Sequence, residues 1–268
     1  AIQSCLNQSH TNLELIIVDD ASTDNTPNIT LAYKNADNRV RTIHHETNAK
    51  LPGALNSGFA QAKGLYLTWT SDDNCYRPNA IAEMVAFLES RSEIAVVYTD
   101  YTVIDEEESP LKYVTVSPIE DLVQYNCIGP CFLYRRKVHE KLTHYVQRFF
   151  LAEDYDFWLR ASISFNLQPL HKDLYIYRQH GSSLSSLYKG GHVIAIEALK
   201  QTLPEMNWLT NASRATGYLR IALAEQDNHN TQMAIKYIFR AIYHSPRIFY
   251  SPTTLGLLIN IVCGRYIF

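Results

Sequence analysis

Short apolar runs alternate with helix-patterned segments through the first hundred residues, and this alternation constrains the fold more than any other feature. Leu13 to Val18 (LELIIV) ends in Asp19-Asp20, and Arg39 to His45 is a second run. GLYLTWT at 64–70 and IAVVYTD at 94–100 follow. Between them lie a helix opened by Thr26-Pro27, with proline near its first turn, and helical stretches at 52–63 and 78–90. Strands alternating with helices indicate βαβ units, hence an α/β fold with a mostly parallel sheet flanked by helices. Beyond residue 105 the pattern loosens. DEEES at 105–109 reads as a solvated acidic turn, CFLYRR at 131–136 as a strand and EDYDFWLRAS at 153–162 as a helix. LYIYRQHGSSLSS at 174–186 starts as a strand and runs into a Gly/Ser-rich loop able to act as a lid.

From about residue 189 the chain turns helical, giving a catalytic-sized unit over 1–188 and an extension over 189–268. In the extension, 215–226 and 231–246 resemble one tetratricopeptide-like helix pair. Arrays of such pairs need about three repeats, so a single pair is expected to pack on the first unit. The last stretch, LGLLINIVCGRYIF, suits a core helix or peripheral contact with a membrane surface. Residues 1–9 read as the tail of a helix, and with no initiating methionine the chain reads as a fragment.

A net charge of −3 offers no basic face for phosphate contacts, which argues against nucleic acid as a partner. Five scattered cysteines make no disulfide framework and fit a cytoplasmic setting, extending to the inner face of the membrane. Cys127 and Cys131 flank Gly129-Pro130 without a second ligand pair, and read as buried thiols in a turn rather than zinc ligands. No run is apolar for the roughly 18 residues that a membrane span requires.

Chemistry concentrates in two acidic pairs, Asp19-Asp20 and Asp72-Asp73, each closing an apolar run. In an open parallel sheet, ligands bind beyond the carboxyl ends of the strands. Carboxylates converging there repel unless a cation or hydrogen-bond donors satisfy them. A divalent metal with a nucleotide does both, because Mg²⁺ or Mn²⁺ takes one or two protein carboxylates and completes its shell with phosphate oxygens and water. The competing reading is that each pair caps the following helix.

VDDASTDNT at 18–26, ALNSGFAQAKG at 54–64, TWTSDDNCYRP at 68–78 and LAEDYDFWLR at 151–160 occur in the order and spacing of family 2 glycosyltransferases of the GT-A fold, which this chain resembles over residues 1–185. The resemblance implies an inverting transferase using a nucleotide-sugar donor, UDP-linked, and Mn²⁺ or Mg²⁺. Its acceptor would be a glycan, lipid-linked or protein hydroxyl. By the same likeness Asp20, with Asp19, contacts uracil or ribose; Asp72 lies near ribose and metal; Asp73 is the metal ligand; Asp154 is the catalytic base. His180 stands where related enzymes place a histidine near the diphosphate, as a further metal ligand. Two features depart from the pattern. The family's first strand is missing, and Thr70-Ser71-Asp72-Asp73 replaces the usual Asp-x-Asp.

A base at Asp154 takes the acceptor hydroxyl's proton as the oxygen attacks the anomeric carbon. The alternative for Asp154 is a helix cap. Two functional rivals remain: a phosphate-transfer domain, which needs one acidic cluster where this chain offers three, and a non-catalytic nucleotide-sugar-binding or partner-binding module of the same fold.

Overall fold

The computed structural model describes residues 1–187 and 190–263. Helix α1 (Ile2–Leu6) leads into strand β1 (Leu15–Asp19), helix α2 (Thr26–Ala36), strand β2 (Val40–His44) and helix α3 (Lys50–Gln61). Strands β3 (Tyr66–Leu67) and β4 (Cys75–Tyr76) precede helix α4 (Ala80–Glu89). A long strand β5 (Ile94–Ile104) turns back as β6 (Pro110–Val114), and β7 (Phe132–Arg135) runs into helix α5 (Arg136–Leu142). Helix α6 (Glu153–Ser164), strand β8 (Asn166–Arg178) and a single turn α7 (Leu184–Leu187) complete this part. The remainder is helical: α8 (Gly191–Thr202), α9 (Asn211–Asp227), α10 (Thr231–His244) and α11 (Pro252–Cys263).

The α/β class and the helical extension are those expected. The sheet is more mixed than its alternating pattern suggests. β1 and β2 form a parallel pair, with Leu15 opposite Val40 and Asp19 opposite His44. The larger sheet runs β3-β7-β5-β8-β4, with β6 also paired to β5. There only β5 and β8 are parallel; β3–β7, β7–β5, β4–β8 and β5–β6 are antiparallel. For the β5–β6 pair the reason is connection length. The acidic turn at 105–109 is too short for the crossover that a parallel neighbour needs, so β6 folds back as a hairpin.

β5 is buried along nearly its whole length because helices cover both faces of the sheet. On one face Val97, Leu133 and Leu174 pack against Met84 and Leu88 of α4. On the other, Val96, Tyr98, Phe132 and Tyr134 meet Phe157 and Trp158 of α6, the side chains alternating with the period-2 pleat. Trp158 is fully buried and crosses Phe132 edge-on at 4.6 Å.

The helical extension joins this second core. Ile196, Leu199, Leu203, Ala215, Ile221 and Ile238 belong to the same apolar cluster as Trp158. Arg220 of α9 donates to the Tyr155 hydroxyl at 2.7 Å and to the Val123 carbonyl at 3.1 Å. The α9–α10 pair therefore packs on the α/β part, as a lone pair should. The boundary expected at 188–189 and the end of the apolar stretch at 264–268 lie outside the described residues. Cys127 and Cys131 are free and buried, and burial pushes both thiols up to about 12.

Candidate functional site

β1 delivers Asp19 and Asp20 to the end of the two-stranded sheet. Asp19 is buried; it accepts from the Ser22 N–H at 3.0 Å, and His44 Nδ1 lies 2.9 Å from its other oxygen. Burial works to raise this carboxyl, but the bonds from Ser22 and His44 outweigh it and hold the group below the ordinary aspartate value. Asp19 thus ties down the loop before α2 but does not cap that helix, whose N-cap position is Asn25.

Asp20 has a different environment. Its Oδ1 accepts from the Ala49 N–H at 2.8 Å and lies 2.6 Å from His45 Nδ1, while His45 Nε2 lies 2.9 Å from the Ser57 hydroxyl. An ionised carboxylate can only accept, so Nδ1 carries a proton; in the neutral ring Nε2 then takes the Ser57 O–H. Oδ1 is saturated, and no hydrogen bond to Oδ2 exists among the described residues. His45 and Ser57 come from β2 and α3, so nothing in the local sequence around Asp20 identifies them.

Asp72 and Asp73 occupy a turn rather than a strand end. The expected strand over 64–70 shrinks to Tyr66–Leu67, because the following residues leave the ladder for side-chain partners: Thr68 donates to the Phe132 carbonyl at 2.6 Å and Trp69 Nε1 to the Tyr145 hydroxyl at 3.1 Å. Asp72 is exposed. Asp73 Oδ2 lies 2.9 Å from His180 Nε2, and its Oδ1 is buried without any hydrogen-bond partner. Arg178 fixes the turn from β8: its side chain donates to the Asp73 carbonyl at 3.3 Å and reaches the 105–109 hairpin, pairing with Glu108 at 2.9 Å. Buried Asn74 accepts from the Arg178 N–H at 2.8 Å. A cavity of about 380 Å³ opens beside His180, lined by Asp105, Glu106, Glu107 and Leu111 among others.

The structure brings the Asp73 and His180 side chains together. Among the described residues no group of three or more His, Cys, Asp or Glu is placed to hold a metal. Two protein ligands suit a cation that keeps phosphate oxygens and water in its shell, and an unpartnered buried carboxylate oxygen is the donor a hard cation takes. The residues present fit such an ion. The acidic pairs 19–20 and 72–73 stay in separate hydrogen-bond networks.

Asp154 is the second residue of α6, not its cap; the cap position is Ala152, which makes no side-chain cap bond. Its Oδ1 accepts from the Tyr155 N–H at 2.7 Å and its Oδ2 from Asn126 Nδ2 at 2.8 Å. Burial raises its pKa above the ordinary aspartate value, against the opposing pull of these bonds. Neighbouring Glu153 is buried and accepts from the Leu151 N–H at 2.7 Å; burial, and then the charge of Asp154, push it to about 7. Asp156 is paired with Arg160 at 2.7 Å and serves structure.

Three non-glycine residues with left-handed backbone flank these carboxylates: Ala21 (φ 64°) after Asp20, Lys50 (φ 63°) beside Ala49, and Leu151 (φ 81°) before Glu153. Such conformations cost of order 1–3 kcal/mol each and concentrate where a structure must aim functional groups.

A family described as Glycosyl transferase family 2 matches residues 1–143. An uncharacterized glycosyltransferase of Rickettsia felis is 32% identical over 186 residues, which cover 65% of this chain and 30% of that protein. Across this and the other curated relatives the chain spans 30% to 63% of their length. The crystal structure of S. aureus TarS 1–349 in complex with UDP-GlcNAc superposes with a TM-score of 0.70 at 17% identity, covering 100% of this chain and 88% of that one. The mannosyltransferase PcManGT from Pyrobaculum calidifontis, in complex with GDP-Man and Mn²⁺, gives 0.58 at 13% identity, covering 98% of this chain and 81% of that one. At these identities the likeness is one of fold.

Proposed function

The chain belongs to glycosyl transferase family 2, and from that membership we propose that it moves a sugar from a nucleoside-diphosphate donor, UDP-linked, onto an acceptor hydroxyl of a glycan, lipid-linked or protein substrate, with inversion. The observation that carries this reading is the Asp73–His180 pair, 2.9 Å apart, with the second Asp73 oxygen buried and unpartnered. Asp73 and His180 would hold Mn²⁺ or Mg²⁺, which when bound supplies Lewis-acid stabilisation of the charge on the departing diphosphate. Exposed Asp72 faces the ribose side of the donor. The Oδ2 oxygen of Asp20 accepts from an N–H of the base or a ribose hydroxyl, held in place by the Ala49 N–H and the His45–Ser57 chain on Oδ1; Asp19 fixes the adjoining loop.

Asp154 is the general base. Asn126 and the Tyr155 N–H orient its carboxylate, and burial, which raises its pKa above the ordinary aspartate value, makes it a stronger proton acceptor than an ordinary aspartate. Direct attack by the deprotonated acceptor oxygen is a single displacement, which inverts the anomeric centre. The C-terminal helices contact a membrane peripherally; among the described residues no helix is long and apolar enough to cross one.

Calorimetry of UDP with and without Mn²⁺ tests the assignment. Asp73→Ala is expected to abolish the Mn²⁺-dependent part of UDP binding and to leave the metal-independent part. Metal-dependent binding that survives the substitution would overturn it.

A further inference from the structure

Charge is divided unevenly along this chain. No aspartate or glutamate follows Asp227, whereas Lys236, Arg240, Arg247 and Arg265 do, so the last 41 residues carry four cations and no anion in a chain whose total is −3. α10 arranges this charge. Its inner face buries Ala234, Tyr237, Ile238 and Ala241. Its outer face carries Lys236, Phe239, Arg240 and Tyr243 at helical spacing, and the chain beyond adds Arg247 and Tyr250. The aromatic members are turned out to solvent: Phe239 is 67% exposed, Tyr243 83% and Tyr250 77%.

A globular surface gains nothing by presenting large aromatic rings to water, and rings of this exposure in one short segment mark a surface that meets something else. The apolar face of α10 is spent on the protein core, so what remains outward is a set of basic side chains interleaved with aromatic rings, which suits headgroup-level contact: the cations meet anionic lipid and the amphipathic rings sit at the interface. This stretch offers no carboxylate of its own to be repelled by an acidic surface, and its four cations stand in a chain whose total is negative.

We propose that the outer face of α10, continued through Arg247 and Tyr250, docks on an anionic lipid bilayer, with the rings entering the headgroup region and Lys236, Arg240 and Arg247 facing lipid phosphates. This rests on the peripheral membrane contact proposed above and names its lipid class and its residues. Each cation at such a surface contributes about fivefold in partitioning.

The test is co-sedimentation of the full chain with vesicles of phosphatidylcholine alone and of phosphatidylcholine mixed with phosphatidylglycerol, at low and high salt. Binding to the mixed vesicles only, weakened by salt, is expected. The double variant Lys236→Glu/Arg247→Glu should lose at least about 25-fold in partitioning. Phe239→Ser/Tyr243→Ser should also detach while keeping its melting temperature, since both side chains are exposed. UDP affinity of these variants, measured in parallel, should equal that of the parent, so an error in the donor reading leaves the vesicle readout untouched. Equal binding to both vesicle types overturns the anionic assignment. No binding to either overturns the membrane contact itself. A dimer in light scattering that Phe239→Ser/Tyr243→Ser dissolves gives the face to a second copy of the chain.

Discussion

Glu153 and Asp154 are adjacent in sequence, and the fold separates their roles. Asp154 is partly buried and oriented by Asn126; Glu153 is buried, bonded to the Leu151 N–H and pushed to about 7. Its folded pKa exceeds the unfolded value of 4.5, so the fold binds more protons than the unfolded chain between the two values. Stability from this group is fully present below pH 4.5 and is lost as pH rises toward about 7. Glu153→Gln keeps an acceptor for Leu151 and removes the ionisation. The variant should match the parent at the acid end and exceed it at neutral pH by on the order of 3 kcal/mol. Melting curves from acid to neutral pH check this; parallel curves for the two proteins would contradict it. Asp73 and Asp154 were legible in the sequence because each lies in a motif, whereas His180 was placed only by its position in the loop after an apolar strand. His45, Ser57, Asn126 and Arg178 were not legible, since each meets its carboxylate through tertiary contacts that no local spacing encodes.

At the scale of elements, strands with period-2 burial or a fully apolar run were readable, and those with neither were not. β6 is exposed over Pro110–Tyr113 and carries no apolar alternation, so the segment after the acidic turn looked featureless. β8 begins at Asn166, eight residues before the apolar LYIYR that betrays it, because its first half alternates in a polar setting and its pairing with β5 shifts register at Thr99–Asp100. Between those pairs His171 bulges out to meet Asp100, 3.2 Å away, and Lys172 to meet Glu83 at 2.7 Å. The turn between Cys127 and Cys131 was readable as a turn, but its tightness comes from packing. Gly129 has φ +70°, and a Cβ there would meet the Tyr101 ring at 3.0 Å. Gly129→Ala should therefore cost about 1–3 kcal/mol, from the left-handed backbone and the displaced ring. A melting temperature equal to the parent's would show the turn is not constrained this way.

For the whole molecule, the helical extension is part of the packing that supports the candidate base. Trp158 and Tyr155 on α6 are covered by residues of α8 and α9, and Arg220 bonds the Tyr155 hydroxyl at 2.7 Å. The helix that presents Asp154 is thus clamped between the sheet and the extension. The βαβ-like alternation made the α/β class and the strand-end position of Asp19 readable, while the turn that holds Asp72-Asp73 and the antiparallel strands depended on long-range pairing. The basic, aromatic end opposes an acidic remainder, which joins the proposed lipid contact to the proposed transfer in one oriented particle. The central claim is that Asp154 takes the acceptor's proton in a metal-assisted glycosyl transfer. The most direct measurement compares the parent and Asp154→Asn for UDP release from UDP-sugars with acceptor and Mn²⁺, with UDP affinity and melting temperature taken on the same preparations. Asparagine keeps the acceptor for the Tyr155 N–H, and its amide nitrogen meets an acceptor once the Asn126 amide turns over, so folding and UDP binding should persist while the rate falls about 10²–10⁴-fold. Transfer by Asp154→Asn at the parent's rate would contradict the account.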